Sequence, residues 1–505
     1  MRNRLPATLR RILWASGTLA SVALALLSGD ASALPLFARQ TGQNCLACHA
    51  GGQFPELTPY GRMFKMTGYT IGERTKVPLS VMGVLTAARV ADTSKSDAPQ
   101  DDFQKNGVPQ FATGSLFLGG KVTDNIGAFA QVTYDNYFTN SKGYFQGHSN
   151  ADNIDLRYAD RFVDNQRDVI FGLSVNNNPS VSDPWNSAPA WMQYVPASST
   201  TSHQFADPNS PYPGFGSGGN VAGVSAYVFW NKTLYAELGT YTTANRGFSF
   251  MSAGIEDAAT TKLKGGNNPY WRLALSHEWG AQNIMVGATG MTAHVFDGTT
   301  DPSDSGAYNR IRNTGVDAQY QYLLDPHTIT AQVAYMRQVT DYSANTLAGA
   351  SSFVQADGAT PVAAFNPSDT TNIFRAKLSY VYQAKYGGSL SYFNLRGTTN
   401  TLNQSSGFDP CFAAGAPGAG SAPISTDADA TQGCAPSTRV TGNLSGNPAT
   451  NGMTYEVFWL PVQYVRVGAQ YTAYHKFNGA TDNYDGFGRN ARDNNTLFLY
   501  VWGAY

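Results

Sequence analysis

From residue 78 onward, segment after segment of this sequence alternates apolar and polar residues with a period of two. In 315–322, Val316, Ala318, Tyr320 and Tyr322 fall on one face, and Gly315, Asp317, Gln319 and Gln321 on the other. In 373–383, Phe374, Ala376, Leu378, Tyr380 and Tyr382 oppose Arg375, Lys377, Ser379 and Gln383. In 465–474, Val465, Val467, Ala469, Tyr471 and Ala473 oppose Arg466, Gln470, Thr472 and Tyr474. Side chains on a strand point to alternate faces, so each segment has one apolar and one polar surface. The pattern predicts strands at 78–90, 108–121, 125–137, 152–163, 166–177, 219–230, 233–244, 268–279, 281–296, 309–323, 326–340, 371–383, 386–398, 452–461, 464–477 and 494–505. Every second connection is tight: near Val122–Asp124, Asp164–Asn165, Asn231–Lys232, Gly280, Leu324–Asp325, Ala384–Lys385 and Val462–Gln463. The others are long, the longest of them 399–451, rich in Gly, Ala, Ser and Pro and expected to be a flexible outer loop. A soluble sandwich shares the period of two. It does not share an even strand count with short turns on one rim and long loops on the other, which describes an outer-membrane β-barrel of about sixteen antiparallel strands.

Composition agrees. Charged residues are 14%, against about 25% in soluble domains. There are 51 glycines, aromatics are 12%, and the mean hydropathy of −0.29 argues against a helical membrane protein. The formal net charge of −1 lacks the basic excess of a nucleic-acid binder, so no nucleic-acid partner is expected. Tyr270-Trp271 and Trp279 suit interfacial girdles against outer-membrane lipid. If the first strand starts from the periplasm, the tight turns are periplasmic, the long loops are extracellular and the C-terminus ends on the periplasmic side. The last strand closes on Leu497-Phe498-Leu499-Tyr500-Val501-Trp502-Gly503-Ala504-Tyr505, whose terminal aromatic resembles the recognition signal of such barrels.

The N-terminus reads as an export signal. Arg2, Arg4, Arg10 and Arg11 precede an apolar run from Ile12 to Leu27, and Ala31-Ser32-Ala33 fits a cleavage site before Leu34. Residues 1–33 are therefore expected to be a signal peptide, 34–77 a small separate domain and 78–505 the barrel. Cys411 and Cys434 lie in the long 399–451 connection, where an oxidising compartment favours a loop disulfide.

The chemistry is concentrated in 34–77. Cys45-Leu46-Ala47-Cys48-His49 is a c-type haem attachment sequence. Two thiols add to the haem vinyl groups, and the adjacent histidine is the proximal iron ligand. A C-x-x-C can instead serve as a redox dithiol or half a zinc site. The βαβ pattern of the first and the second C-x-x-C of the other are both missing from the sequence. One covalently bound haem c is the expected cofactor. Met66 and Met63, on a helix-compatible stretch around Tyr60–Gly68, are the nearest distal-ligand candidates, and packing against the haem edge is the other use open to them. His277, Met285, Met291 and His294 are candidates from the barrel. His148 and His203 lie in predicted outer loops, where they could meet a metal ion or simply face water.

Phe37-Ala38-Arg39-Gln40-Thr41-Gly42, the C-x-x-C-H, Phe54-Pro55-Glu56-Leu57-Thr58-Pro59-Tyr60-Gly61-Arg62 and Phe64-Lys65-Met66-Thr67-Gly68-Tyr69 together resemble the N-terminus of the fused outer-membrane cytochrome–porins, the monohaem iron-oxidising cytochromes. The match in motifs covers about 35 residues; the barrel matches in size and strand count. The resemblance implies a monohaem domain before a sixteen-stranded porin. It also implies oxidation of extracellular Fe(II) at the cell surface, with Cys45, Cys48 and His49 on the haem-binding positions. The electron would pass to a soluble periplasmic c-type cytochrome, an Fe(II):cytochrome c oxidoreductase activity. The alternatives are the same conduit with a non-iron redox partner, and a diffusion porin plugged by the haem domain. A domain this small makes a poor independent haem pocket, and a sixteen-stranded barrel has a wide lumen. The domain is therefore expected inside the lumen, touching wall residues such as Arg375, Lys377, Gln319 and Gln470.

Overall fold

A computed structural model describes residues 36–52, 56–92, 107–139, 145–185, 221–252, 263–266, 268–296, 308–350, 366–400, 445–462, 464–484 and 488–505. Residues 1–33, expected to be a signal peptide, together with Phe54-Pro55, His203, Cys411 and Cys434, lie outside them, and so does the His148 side chain. Among the described residues sixteen strands form one closed antiparallel barrel. They are β1 (Leu79–Val90), β2 (Gln110–Lys121), β3 (Ile126–Thr139), β4 (Phe145–Val163), β5 (Asp168–Asn176), β6 (Val221–Trp230), β7 (Leu234–Thr243), β8 (Pro269–Trp279), β9 (Gln282–Phe296), β10 (Tyr308–Leu324), β11 (His327–Asp341), β12 (Ser368–Tyr382), β13 (Tyr386–Gly397), β14 (Thr450–Val462), β15 (Val465–Lys476) and β16 (Thr496–Ala504). Each strand pairs with its neighbours in sequence, and β16 closes on β1 from Met82 opposite Ala504 to Val90 opposite Thr496.

The alternation read from the sequence sorts the two faces. Val316, Leu378 and Val457 are more than half exposed on the outside, while Gln319, Arg375, Lys377 and Gln470 are buried on the inside. A soluble protein would bury the apolar set; this inversion belongs to a barrel whose outer surface meets lipid. The chain therefore has the fold of a porin-like outer-membrane β-barrel.

Three details differ from the sequence reading. Strand β4 begins at Phe145 rather than 152, because backbone pairing with β3 continues through a polar stretch that carries no apolar alternation. The ladder absorbs bulges between Gln131 and Val132 and between Asp135 and Phe138. Strand β12 likewise starts at Ser368 rather than 371. Val465, expected on the outer face, is buried where the β14–β15 register shifts between Trp459 and Val462. The tight turns need little glycine. Asn231-Lys232 and Gln383-Ala384 adopt paired positive φ values of 50° and 55°, and 51° and 53°, the twist that two-residue hairpins require.

The N-terminal segment forms α1 (Leu36–Thr41), α2 (Cys45–Cys48), a 3-10 turn at Ala50–Gly52, and α3 (Pro59–Met66). A further short helix, α4 (Pro179–Ser182), follows β5. The largest apolar cluster joins Met63 and Met66 of α3 to Ile170, Trp185, Tyr227, Phe229, Tyr235, Ala274 and Met285. One shared core thus links the segment to β5–β9.

Candidate functional site

The C-x-x-C-H sequence at Cys45–His49 is one turn of helix with a cap on each side. Asn44 caps α2 by accepting from the Ala47 N–H at 3.2 Å. Cys45 and Cys48 are three residues apart, on one face of the turn. The His49 N–H donates to the Cys45 carbonyl at 2.8 Å, and His49 forms a β-bridge with Leu57. Thr58 caps α3, its hydroxyl oxygen accepting from the Gly61 N–H at 3.1 Å while its O–H donates to the Ala47 carbonyl. The Thr58 N–H donates to the Cys48 carbonyl at 2.9 Å. Pro59, in the first turn, needs no N–H there.

Helix α3 therefore lies directly on the C-x-x-C-H turn, and Gly61 allows it. A Cβ on Gly61 would stand 2.2 Å from the Cys48 carbonyl oxygen, so a side chain there must push the two apart. Gly61→Ala is expected to destabilise the segment by about 1–3 kcal/mol, the usual cost of overpacking. Haem incorporation and protease resistance of residues 34–77 should both fall, and unchanged values would show that α3 can slide.

The segment is bonded to the barrel wall along its length. The Gln40 side chain donates to the Tyr69 and Ile71 carbonyls at 2.6 and 2.9 Å and accepts from the Lys121 N–H at 2.9 Å. Arg62, almost wholly buried, donates to Leu57 O (2.8 Å), Gln321 Oε1 (3.1 Å) and Asn283 Oδ1 (3.0 Å). Lys65 Nζ donates to Asp183 O at 2.7 Å, and the Tyr227 hydroxyl to Met66 O at 2.7 Å. The Tyr69 hydroxyl donates to Asp155 Oδ2 at 2.5 Å, and Arg157 pairs with the same carboxylate at 2.6 Å. Lys377 Nζ stands 2.7 Å from Glu56 Oε1, both side chains buried. Of the wall residues expected to touch the segment, Lys377 makes this ion pair, whereas Gln319 bonds Gln332 and Gln470 bonds Glu456. A small cavity of about 20 Å³, the size of one water, lies between Ala50, Gly51 and Glu56 on one side and Thr330, Lys377 and Arg466 on the other.

These contacts gather at the short-turn end of the barrel. Gln321 is three residues from the end of β10, Asn283 is the second residue of β9, and Lys121 is the last of β2. Gly51 packs on Val381, next to the last residue of β12, and Gly52 near Leu460, two residues before the end of β14.

Burial sets the protonation of the site. It pushes the Cys45 and Cys48 thiols up to about 11, with Cys48 adding to the effect on Cys45. A redox dithiol needs an activated thiolate, and this pair has none. Burial lowers His49 to about 4 despite the opposing Glu56 carboxylate, leaving a neutral imidazole near pH 7. Its Nδ1 is buried without a protein partner. Two protonated thiols on one turn, beside an imidazole with an unsatisfied nitrogen, form a donor set that fits a covalently attached haem. Burial also lowers Lys65 to about 8, Arg157 adding to the shift.

The other candidates are dispersed. Met66 is buried in the cluster shared with Trp185 and Tyr235, with Met63 at its edge and Met285 across from it. Met291 belongs to a separate cluster with Tyr241 and Tyr270. His277 is exposed and stacks on Trp279, ring centroids 5.4 Å apart, on the outward-facing set of β8, and the half-buried His294 meets Asn268 through its backbone N–H. The anchoring roles of Arg62, Lys65 and Tyr69 escape sequence reasoning. Two cations one turn apart on a mostly apolar helix were the available signal.

Neither a protein-family profile nor a curated protein sequence matches the chain. Solved structures similar to it include OmpF of Salmonella typhi in complex with daunomycin (10% identity, TM-score 0.42, 85% of this chain and 97% of that one). The outer-membrane channel DcaP of Acinetobacter baumannii is also similar (13%, 0.41, 86% and 99%), as is OprB of Pseudomonas putida (10%, 0.42, 85% and 93%). The fold itself is established by the strand order.

Proposed function

We propose that this chain moves electrons from extracellular Fe(II) to a soluble periplasmic c-type cytochrome, using one haem c bound at Cys45, Cys48 and His49. The observation that carries the reading is a C-x-x-C-H turn in a segment anchored to the inner wall of a membrane barrel by a buried ion pair and a set of buried hydrogen bonds. Haem c at that position supplies a one-electron redox couple.

The chain's own residues do the rest. Cys45 and Cys48 hold the group covalently, and His49 offers a neutral imidazole to its iron. Gly61 lets α3 close on the turn, and Arg62, Lys65, Tyr69 and Glu56 lock that helix to the wall. The sixteen strands separate the site from lipid. In this reading the long loops are extracellular and the short turns and C-terminus periplasmic. Leu46, Asn44 and Gln43 are exposed at the short-turn end, where a periplasmic cytochrome can approach.

The test is rapid mixing of the purified haem protein with Fe(II), following haem reduction. Reduction by dithionite but not by Fe(II) would assign the conduit to another donor. The distal ligand is assigned to Met66 or Met63, the two thioethers on the helix that covers the attachment turn. Replacing each by alanine should, for one of them alone, abolish the thioether–iron charge-transfer band and lower the midpoint potential. Loss of neither band nor potential in both variants would place the sixth ligand elsewhere.

A further inference from the structure

The outward face of β10–β13 changes character with height. Directly paired residues share a face, so the register divides these four strands into rungs. One outward rung holds Thr314, Arg337, Asn372 and Arg396. Below it, down to the rung of His327, Tyr382 and Tyr386 at the short-turn end, the outward positions of these strands carry no Asp, Glu, Lys or Arg. Arg337 lies ten residues from His327 on β11. At about 3.4 Å per residue and a tilt of about 35–45°, that is roughly 24–28 Å of height, matching an apolar band of about 25 Å. The arginine rung therefore stands at the long-loop edge of the band, at the level of lipid headgroups. The rings of the His327 rung mark the opposite edge.

The next two outward rungs carry Arg312 and then Arg310, so four exposed arginines stand together on this face. Arg310 and Arg312 share the carboxylate of Asp341 at 2.7 and 3.1 Å. Asp341 is the only acid among the described outward residues of β10–β13. The face is therefore strongly basic. An arginine turned toward lipid is costly at the bilayer midplane and tolerated near an interface, where its planar fork matches a phosphate. The rung is also arranged to receive one. Asn372 sits between Arg337 and Arg396, which are two strand spacings apart, about 10 Å. Asn372 Oδ1 accepts from the Tyr335 hydroxyl at 2.8 Å, which leaves the amide N–H groups to donate. Arg396 Nε donates to Asn394 Oδ1 at 3.3 Å, which leaves both terminal guanidinium nitrogens for a ligand.

We propose that this face binds a phosphorylated glycolipid of the outer leaflet. One phosphate sits between Arg337 and Arg396 over Asn372, and a second anionic group meets Arg310 and Arg312. Asp341 and the carboxamides bond sugar hydroxyls, and the acyl chains lie on the uncharged surface below, against Tyr335, Phe374 and Leu378. Two basic positions on successive rungs, with sugar-bonding groups between them, suit a bisphosphorylated sugar better than a lipid with one phosphate. The proposal rests on the outward orientation of the long loops in the reading above and is independent of electron transfer.

Native mass spectrometry of the full haem-loaded protein in detergent tests it, with bisphosphorylated lipid A, the same lipid stripped of phosphate, and phosphatidylglycerol as probes. The wild-type protein should bind lipid A at least tenfold more tightly than either of the others. Equal affinity for the stripped lipid would overturn the site without any variant. Arg337→Gln with Arg396→Gln should weaken lipid A binding at least tenfold. Arg167→Gln with Lys232→Gln, which removes the same charge at the short-turn end, should leave it unchanged. An equal loss in both pairs would reduce the effect to net charge and overturn the site. Phosphatidylglycerol bound as tightly as lipid A, and lost in the Arg337 and Arg396 variant, would overturn the glycolipid. Haem reduction by Fe(II) is read on the same samples, so failure of the lipid site and failure of the electron-transfer reading appear separately.

Discussion

Replacing Cys45 and Cys48 together by alanine should abolish covalent haem completely while the barrel still assembles. The attachment turn contributes two half-buried thiols and little to the wall contacts, which come from Gln40, Glu56, Arg62, Lys65 and Tyr69. The strand ladder is continuous from β1 round to β16 and includes no residue of the segment. Haem staining on a denaturing gel should therefore vanish, while heat-modifiable migration of the folded barrel persists. His49→Ala should behave differently: both thiols remain, so attachment can continue, but the potential and spectrum should change with the proximal ligand. Covalent haem retained in the double cysteine variant would disprove the site. Loss of the folded barrel would show that the attachment turn supports assembly as well.

The barrel was legible because its signal is local. A period of two over ten or more residues, and a short connection after every second strand, can be counted without knowing which strand meets which. Legibility ended where local pattern ended. The first seven residues of β4 pair with β3 through backbone bonds that impose no apolar alternation, and Val465 is buried by a register shift invisible in its own segment.

The site divides in the same way. Cys45, Cys48 and His49 are contiguous, so sequence brings them together by itself. Arg62 meets residues 221 and 259 positions away, and Glu56 meets Lys377 across 321 positions. Those pairings exist only once the barrel has closed in register. Inward-facing polar residues are common on every strand, which is why Lys377 was an expected partner while Asp155, Asn283 and Gln321 were not. The height of the turn was equally hidden. A linker of about 28 residues from His49 to Pro78, at up to about 3.5 Å each, reaches either end of the barrel. Close approaches decide the matter, such as Gly51 against Val381 and Gly127 against the Gly68 carbonyl.

Deleting residues 34–76 while keeping residues 1–33 should raise single-channel conductance several-fold in planar bilayers. With the segment present, α1, α3 and the neighbouring Glu56 and Tyr69 bond to β2, β4, β6, β9, β10 and β12, wall elements spread around the barrel. A sixteen-stranded barrel without a plug leaves an aqueous channel. The strands should survive the loss, since their ladder is complete without the segment, and the stranded wall charges mostly keep wall partners. Asp155 keeps Arg157 at 2.6 Å, Arg272 keeps Asp317 at 2.5 Å, and Arg466 keeps Glu456 at 2.8 Å. Lys377 loses Glu56 and becomes solvated in the opened lumen, so the new pore should gain preference for anions at its short-turn end. Lys377→Gln in the truncated protein should reduce that preference without closing the pore. Equal conductance for full-length and truncated proteins would mean that the segment leaves the lumen in a bilayer. The contacts of Arg62, Lys65 and Tyr69 with the wall would then not hold in the membrane.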